Sequence, residues 1–207
     1  MIIVFDVEQA EADLTAGRLA CPRCAAPLRP WSWATARRIR GRDGTSRSVR
    51  PRRARCTSCR ASQVLLPAWC QPRLADATEV IGAALVAKAA GRGYRAIAAE
   101  LGRPPATVRR WLRRARDPLH LAWLRRLGVD HAHRLDAEVL TGGLQPQPTG
   151  LGDALEALAA AVHAWRRRWR RHTDGWALIG AFTGGRLLAP CSAHEWEWVR
   201  PVGVDQR

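Results

Sequence analysis

The 207-residue sequence predicts a mainly α-helical protein with a small β module at its N-terminal end. Three observations predict this fold class. Five of the six cysteines lie within residues 21–75 among Pro, Gly and Arg, a composition typical of short strands and turns. Residues 76–127 have the apolar spacing and boundary residues of three short helices. Residues 128–207 are helical at first, are interrupted by the Gly/Pro-rich stretch 141–150, and are expected to end irregularly.

The charge of the chain indicates an anionic partner. The formal net charge is +16, and all but one of the 34 basic residues are arginine. Such an excess attracts polyanions, of which nucleic acid is the first candidate and an anionic membrane surface the second. No apolar run reaches the roughly 20 residues of a membrane span, and the opening residues do not resemble a secretory signal. We therefore expect a reducing, intracellular setting and no membrane partner.

The first region, residues 1–75, predicts a short strand at "IIVF", a polar approach segment, and two Cys-x-x-Cys pairs. The pairs are Cys21 with Cys24 and Cys56 with Cys59. In a reducing setting such pairs are typical ligands of one structural Zn²⁺ per chain, with all four coordination positions filled by thiolates. The alternative is a redox dithiol, which needs a single such motif in a βαβ context. The spacing thus predicts a zinc-ribbon-like β module.

The 31 residues between the two pairs exceed the roughly 15–20 of a usual zinc ribbon. The Asp-Gly turn signal within "GRDGTS" (41–46) predicts an inserted hairpin that absorbs the excess. The insertion holds ten arginines, one acid (Asp43) and two tryptophans, Trp31 and Trp33. Basic residues with interleaved aromatics suit phosphate contact and base stacking, but we favour the alternative that both tryptophans form the core of the module. For Cys70 and Cys191 we expect buried structural thiols.

The second region, residues 76–127, predicts three helices. "DATE" (76–79) has capping-box spacing for a helix that runs to Ala90 and stops at Gly91. A second helix begins near Tyr94, and Gly102 supplies a turn that needs positive φ. Pro105 suits the first position of a third helix, residues 105–116, because no N–H is needed there.

The third helix separates into two faces on a wheel of about 100° per residue. The apolar stripe consists of Val108, Trp111, Leu112 and Ala115. The opposite side carries Arg109, Arg110, Arg113, Arg114 and Arg116. One packed face and one guanidinium face are what a helix in a DNA major groove requires, and the alternative is a three-helix bundle with a solvated basic face.

Arginine pairs bidentately with guanine, so the side chains that point directly away from the stripe are candidates for base edges. These are Arg109, Arg110 and Arg113. Candidates for phosphate contacts are Arg95, Arg103, Thr107 and Arg114, together with the positive N-terminus of the helix.

These residues resemble the helix-turn-helix of DNA recombinases, transposases and their regulators. The resemblance lies in Ala98, Gly102 four residues later, Val108 six residues beyond that, and "ATVRRWL" (106–112). With the cysteine pairs, residues 21–116 resemble the N-terminal DNA-binding part of insertion-sequence transposases and bacterial zinc-ribbon, helix-turn-helix proteins of unknown function. The resemblance implies DNA binding in a bacterial cytoplasm, associated with the nucleoid.

The third region, residues 128–207, predicts a long helix after the break at 141–150. Its larger apolar residues recur every three or four positions and form a continuous seam. They are Leu151, Leu155, Leu158, Val162, Trp165 and Trp169. The seam either packs on the protein's own core or forms a homodimer through 151–169, and near the end "HEWEW" (194–198) is interpreted as an edge strand or packing segment.

The sequence as a whole predicts a sequence-specific double-stranded DNA-binding protein that reads the major groove with helix 105–116. We expect a transcriptional regulator or a transposition accessory. An alternative is a transposase- or recombinase-derived fragment or enzyme, but the acids after residue 116 do not lie in the apolar strands that hold catalytic Mg²⁺ in the transposase fold. We therefore expect no enzyme. An RNA-binding zinc module remains a further alternative, because arginine-rich surfaces also bind RNA.

Overall fold

The computed structural model describes residues 1–42 and 44–189, and it confirms the predicted fold class. The N-terminal part contains β1 (Ile2–Val4), α1 (Val7–Thr15), β2 (Leu28–Trp33), β3 (Arg37–Arg40), β4 (Ser46–Val49), β5 (Arg52–Cys56) and β6 (Ser62–Pro67). The remainder contains α2 (Thr78–Ala89), α3 (Tyr94–Glu100), α4 (Pro105–Arg114), α5 (Pro118–Asp136), a 3₁₀ helix (Ala137–Leu140), α6 (Gly150–Trp169) and α7 (Gly175–Phe182). The predicted roles of Asp43, Cys191 and "HEWEW" lie outside the described residues.

The strands form a four-stranded sheet and a separate hairpin. The sheet has the order β1-β6-β5-β2, with β1 parallel to β6 and the other pairs antiparallel. Strands β3 and β4 form a two-stranded sheet between the two cysteine pairs, and an isolated bridge joins Arg40 of β3 to Asp76. The inserted hairpin predicted from the long spacing is confirmed.

Helix α1 lies where the sequence predicted a polar approach segment, and that prediction was wrong. Its N-cap is Asp6, whose carboxylate accepts a hydrogen bond from the backbone N–H of Gln9 at 2.9 Å. Leu14 and Ala10 are buried in a small cluster with Leu28 and other sheet residues. The helix has nine residues with few apolar positions, so it depends on packing against the sheet more than on its own periodicity.

The turns between helices α2, α3 and α4 lie where the sequence predicted them, but the predicted cap at the start of α2 is absent. Gly91 and Gly102 have φ of +84° and +59°, and Pro105 is the first residue of α4. The capping box at 76–79 is wrong: α2 starts at Thr78 after Ala77, and no side chain caps it. The carboxylate of Asp76 instead binds the guanidinium groups of Arg40 and Arg103.

Helix α6 packs along α5, and this packing occupies the apolar seam. Leu158 is fully buried, and Leu151, Val162 and Trp165 are less than 10% exposed within the single chain. At Gly128 of α5 an added Cβ would lie 2.5 Å from the carbonyl carbon of Ala157, so the two helices nearly touch. The structure therefore supports packing on the protein's own core, and the homodimer through 151–169 stays a prediction.

The last described helix, α7, was not predicted, because its eight residues lie in a segment that the sequence indicated as irregular. Asp174 caps it by accepting hydrogen bonds from the backbone N–H groups of Trp176 and Ala177. An added Cβ at Gly180 would lie 2.0 Å from the carbonyl oxygen of Ala68, just after β6. Only glycine allows this close approach between the C-terminal helix and the β module.

One buried apolar cluster runs through all three predicted regions. It includes Ile39 from the hairpin, Leu66 from the sheet, Trp111 from α4, Leu158 from α6 and Phe182 from α7. The β module and the helices therefore hold each other in fixed positions. Among the described residues, no helix combines the length and apolar character needed to cross a bilayer.

Candidate metal centre and nucleic-acid interface

The four predicted metal ligands converge at one end of the β module. The sulfur atoms of Cys21, Cys24, Cys56 and Cys59 all lie within 4.8 Å of one another. The Sγ–Sγ distances are 3.7 Å for Cys21 and Cys59 and 3.4 Å for Cys24 and Cys56. A tetrahedral zinc site with Zn–S bonds of about 2.3 Å needs sulfur atoms about 3.8 Å apart. The arrangement fits a four-thiolate structural site.

The two Cys-x-x-Cys segments follow the same backbone path. In each, the backbone N–H of the first cysteine donates to the carbonyl five residues later: Cys21 to Ala26 at 2.8 Å and Cys56 to Ala61 at 3.0 Å. The residue after each second cysteine has positive φ, +58° at Ala25 and +61° at Arg60. A side-chain-bearing residue in this region is strained, and two such residues at equivalent positions indicate that both turns are shaped for the same purpose, the presentation of two sulfurs.

The thiols of the second pair have opposite pKa shifts. Burial alone would raise the pKa of Cys56, but hydrogen bonds from the backbone N–H groups of Ser58 and Cys59 and from neighbouring thiols lower it to about 6. The backbone N–H of Ala61 lowers the pKa of Cys59, yet burial and the other thiols outweigh it and raise the pKa to about 11. Four close sulfurs cannot all carry negative charge without a cation among them, which agrees with a metal site.

Cys70 lies apart from this cluster, as predicted for a structural thiol. It is fully buried, and burial raises its pKa to about 12 although Arg37 acts in the opposite direction. Such a thiol stays protonated and does not act as a ligand.

The two faces predicted for α4 are confirmed by its burial. Val108, Trp111, Leu112 and Ala115 are at most 5% exposed. Arg109, Arg110, Arg113 and Arg116 are all exposed. Among the described residues, none of these four arginines forms an ion pair, so their charge faces solvent rather than an internal carboxylate.

The residues predicted to contact phosphate lie in different environments. Arg95 is exposed beside the ring of Tyr94, and Thr107 is half-buried in the first turn of α4. The Nε of Arg114 donates to the carbonyl oxygen of Ala189 at 2.6 Å, which ties this half-buried side chain to the C-terminal region.

The environment of Arg103 does not agree with the predicted phosphate contact, because its guanidinium binds groups within the protein. Its side chain is 8% exposed, and its Nε lies 2.6 Å from the Oδ1 of Asp76. It also donates to the carbonyl oxygens of Leu101 and Gly41. We therefore leave Arg103 out of the proposed interface and assign it a structural role in the turn before α4.

Trp31 and Trp33 are exposed, so the prediction that they form the core of the module is wrong. Their exposed fractions are 54% and 49%. They lie on β2, which is an edge strand with a register shift between Pro30 and Ser32, while Leu28 and residues from α1 fill the space beneath the sheet. The guanidinium of Arg55 lies 4.3 Å from the ring centre of Trp31, and that of Arg52 lies 4.7 Å from the ring centre of Trp33.

Comparison with known proteins agrees with the geometry of α2 to α4. A family model of the helix-turn-helix type, described as a homeodomain-like domain, matches residues 79–118. No curated protein and no solved structure matches the chain. The match begins within α2 and extends past the end of α4, and it supports a DNA-binding helix-turn-helix domain at the centre of the chain.

Proposed function

We propose that the protein binds double-stranded DNA sequence-specifically by placing α4 in the major groove, as a transcriptional regulator or a transposition accessory associated with the bacterial nucleoid. The observation that carries the proposal is the division of α4 into a buried apolar face and an exposed guanidinium face. This helix lies in the part of the chain that matches the homeodomain-like family. The proposal is for a binding protein and not for an enzyme.

The geometry of α4 suits groove recognition in two ways. Its apolar residues hold the helix on α2 and α3, so its exposed side chains are presented by a rigid support. Arg109, Arg110 and Arg113 can then pair with guanine O6 and N7, while Arg95 and Thr107 contact phosphates on either side. The formal charge of +16 adds attraction to the DNA backbone that does not depend on sequence.

The metal in this proposal is one structural Zn²⁺ held by Cys21, Cys24, Cys56 and Cys59. The sulfur spacing and the repeated turn geometry support it. The ion would join the turn that precedes β2 to the turn that follows β5. It has no role in chemistry, because four protein ligands leave no position for water or substrate.

The decisive experiment is selection of binding sites from random duplex DNA, followed by the triple variant Arg109→Ala, Arg110→Ala, Arg113→Ala. We expect an enriched sequence for the wild type and loss of that preference in the variant, because each bidentate arginine–guanine pair contributes about 1–3 kcal/mol of discrimination. The measurement is the ratio of affinities for the selected duplex and a scrambled one.

A matched control removes the same charge elsewhere. Arg125, Arg126 and Arg171 are exposed residues on or after other helices. Their replacement by Ala should weaken binding to both duplexes equally and leave the preference intact. If the α4 variant keeps the preference of the wild type, the groove assignment is wrong.

The exposed tryptophans favour a second candidate function, an RNA-binding zinc module. Indole rings at the surface with arginine stacked on them can take up unpaired bases, and stacking on aromatic rings contributes about 1–3 kcal/mol per base. Selection from random single-stranded RNA, run in parallel, separates the two candidates. Enrichment of RNA alone, with loss of binding in Trp31→Ala, Trp33→Ala, would favour this function over the first.

A direct assay addresses the enzyme alternative. Supercoiled plasmid incubated with the protein and Mg²⁺ should remain intact, since we propose binding without phosphoryl transfer. Nicking that depends on the metal and on a carboxylate of this chain would overturn that part of the proposal.

A further inference from the structure

The hairpin of β3 and β4 is fixed beside the turn that leads into α4. Arg103, two residues before the start of α4, donates from Nη2 to the carbonyl oxygen of Gly41 at 2.6 Å. Arg40 at the end of β3 binds Asp76 through two bonds of 3.0 and 2.7 Å, and the same carboxylate binds Arg103. The end of β3 and the adjoining Gly41 are therefore held at the N-terminal end of α4.

Backbone hydrogen bonds extend this attachment to the start of α2. The N–H of Arg40 donates to the carbonyl of Ala75 at 2.8 Å, and the N–H of Ala77 donates to the carbonyl of Arg40 at 2.9 Å. Ile39, which precedes Arg40 in β3, is 1% exposed and belongs to the main core. These contacts fix β3 to the start of α2.

The hairpin also lies outside the sheet that carries the cysteine turns. It pairs with neither β2 nor β5, the two strands that carry the cysteine turns. Its exposed side chains include three arginines, Arg38, Arg42 and Arg47. Among the described residues, none of the three forms an ion pair, although Arg47 lies 5.5 Å from the ring centre of Trp69.

We propose that the hairpin is a second contact surface for duplex DNA, which binds the phosphate backbone next to the groove that α4 occupies. The inference rests on the proposed function of α4. In helix-turn-helix proteins the N-terminal end of the recognition helix is directed at the bases, so a rigid element fixed beside that end lies next to the DNA backbone. Unpaired guanidinium groups at this place bind phosphate and extend the footprint without reading sequence.

The test compares two duplexes, one limited to the selected core site and one with flanking base pairs on both sides. The variant is Arg38→Ala, Arg42→Ala, Arg47→Ala. On the long duplex we expect weaker binding, a shorter hydroxyl-radical footprint, and a log–log salt slope smaller in magnitude by about 2 to 3, because up to three phosphate contacts are lost. The preferred sequence should not change.

On the short duplex the variant and the wild type should bind equally. Arg38→Lys, Arg42→Lys, Arg47→Lys keeps the charge and should restore most of the salt slope, since phosphate contact needs charge more than shape. The control Arg125→Ala, Arg126→Ala, Arg171→Ala should leave the footprint boundary of the wild type unchanged. Metal content and the urea unfolding midpoint of each variant show that the fold is retained.

The results separate this proposal from the function on which it rests. An equal loss of affinity on both duplexes, or an unchanged footprint and salt slope, would overturn the hairpin contact while leaving α4 as the reader. Unchanged sequence preference in the α4 variant, together with a shortened footprint in the hairpin variant, would overturn the groove assignment alone. A wild type that does not bind duplex DNA would overturn both.

Discussion

Asp76 joins three parts of the chain through one carboxylate. Its side chain is 3% exposed and binds Arg40 of the hairpin and Arg103 of the turn before α4. A carboxylate this buried is stable only when paired. Here Oδ1 accepts from the Nε atoms of both Arg40 and Arg103, and Oδ2 accepts from Nη2 of Arg40. The sequence indicated a helix cap at this position, because local spacing cannot reveal partners that lie 36 and 27 residues away.

We expect Asp76→Ala to lower the free energy of unfolding by about 3 kcal/mol or more, since it leaves the buried guanidinium of Arg103 without a counter-charge. Glu79→Ala is the control, because Glu79 would share a capping box with Asp76 but, within residues 1–42 and 44–189, accepts a single long hydrogen bond, at 3.4 Å from the backbone N of Arg42. That change should cost less than about 1 kcal/mol. Urea unfolding measures both, and similar losses for the two variants would contradict the role given to Asp76.

At the scale of elements, the sequence predicted what short-range spacing determines. The two cysteine turns, the inserted hairpin and the faces of α4 depend on residues within a few positions of one another, and all are present. Helices α1 and α7 were missed because they are short and stabilised by distant partners. The exposure of Trp31 and Trp33 depends on which strand lies at the sheet edge, which the amino-acid sequence alone does not show.

The cysteine cluster gives a prediction for the β module. Elemental analysis of the wild type should find one zinc per chain, and Cys56→Ser, Cys59→Ser should remove it and unfold the module, because two ligands are too few to hold a structural ion. Circular dichroism and protease sensitivity report the unfolding. Cys70→Ala is the control and should retain one zinc, since Cys70 lies in the core outside the cluster. Full zinc content in the double variant would contradict the assignment.

At the scale of the whole molecule, charge and packing act across the three regions together. The sequence divided the chain at residues 75 and 127 by composition, whereas the main core includes residues from every region. Composition changes sharply along the chain, but contacts between distant segments leave no local pattern. The net charge of +16, by contrast, is a property of the whole composition and could be used from the sequence directly.

We expect duplex binding to weaken steeply with salt, with a log–log slope of about −5 to −7 for six to eight neutralised phosphates. Fluorescence anisotropy across a range of NaCl concentrations measures the slope. The α4 triple variant should reduce the magnitude of the slope by less than the loss of three phosphate contacts would. The reason is that these three side chains contact bases. A slope near zero for the wild type would mean that the excess charge plays no part in binding.

The packing of α7 on the β module has a consequence for synthesis on the ribosome. Gly185, which follows α7, lies against Ile3 of β1, and Gly180 of α7 lies against the carbonyl oxygen of Ala68. Strand β1 leaves the exit tunnel before α7, so Ile3 remains without this cover until the segment around Gly185 has been translated. Until then the nascent chain exposes apolar surface around Ile3.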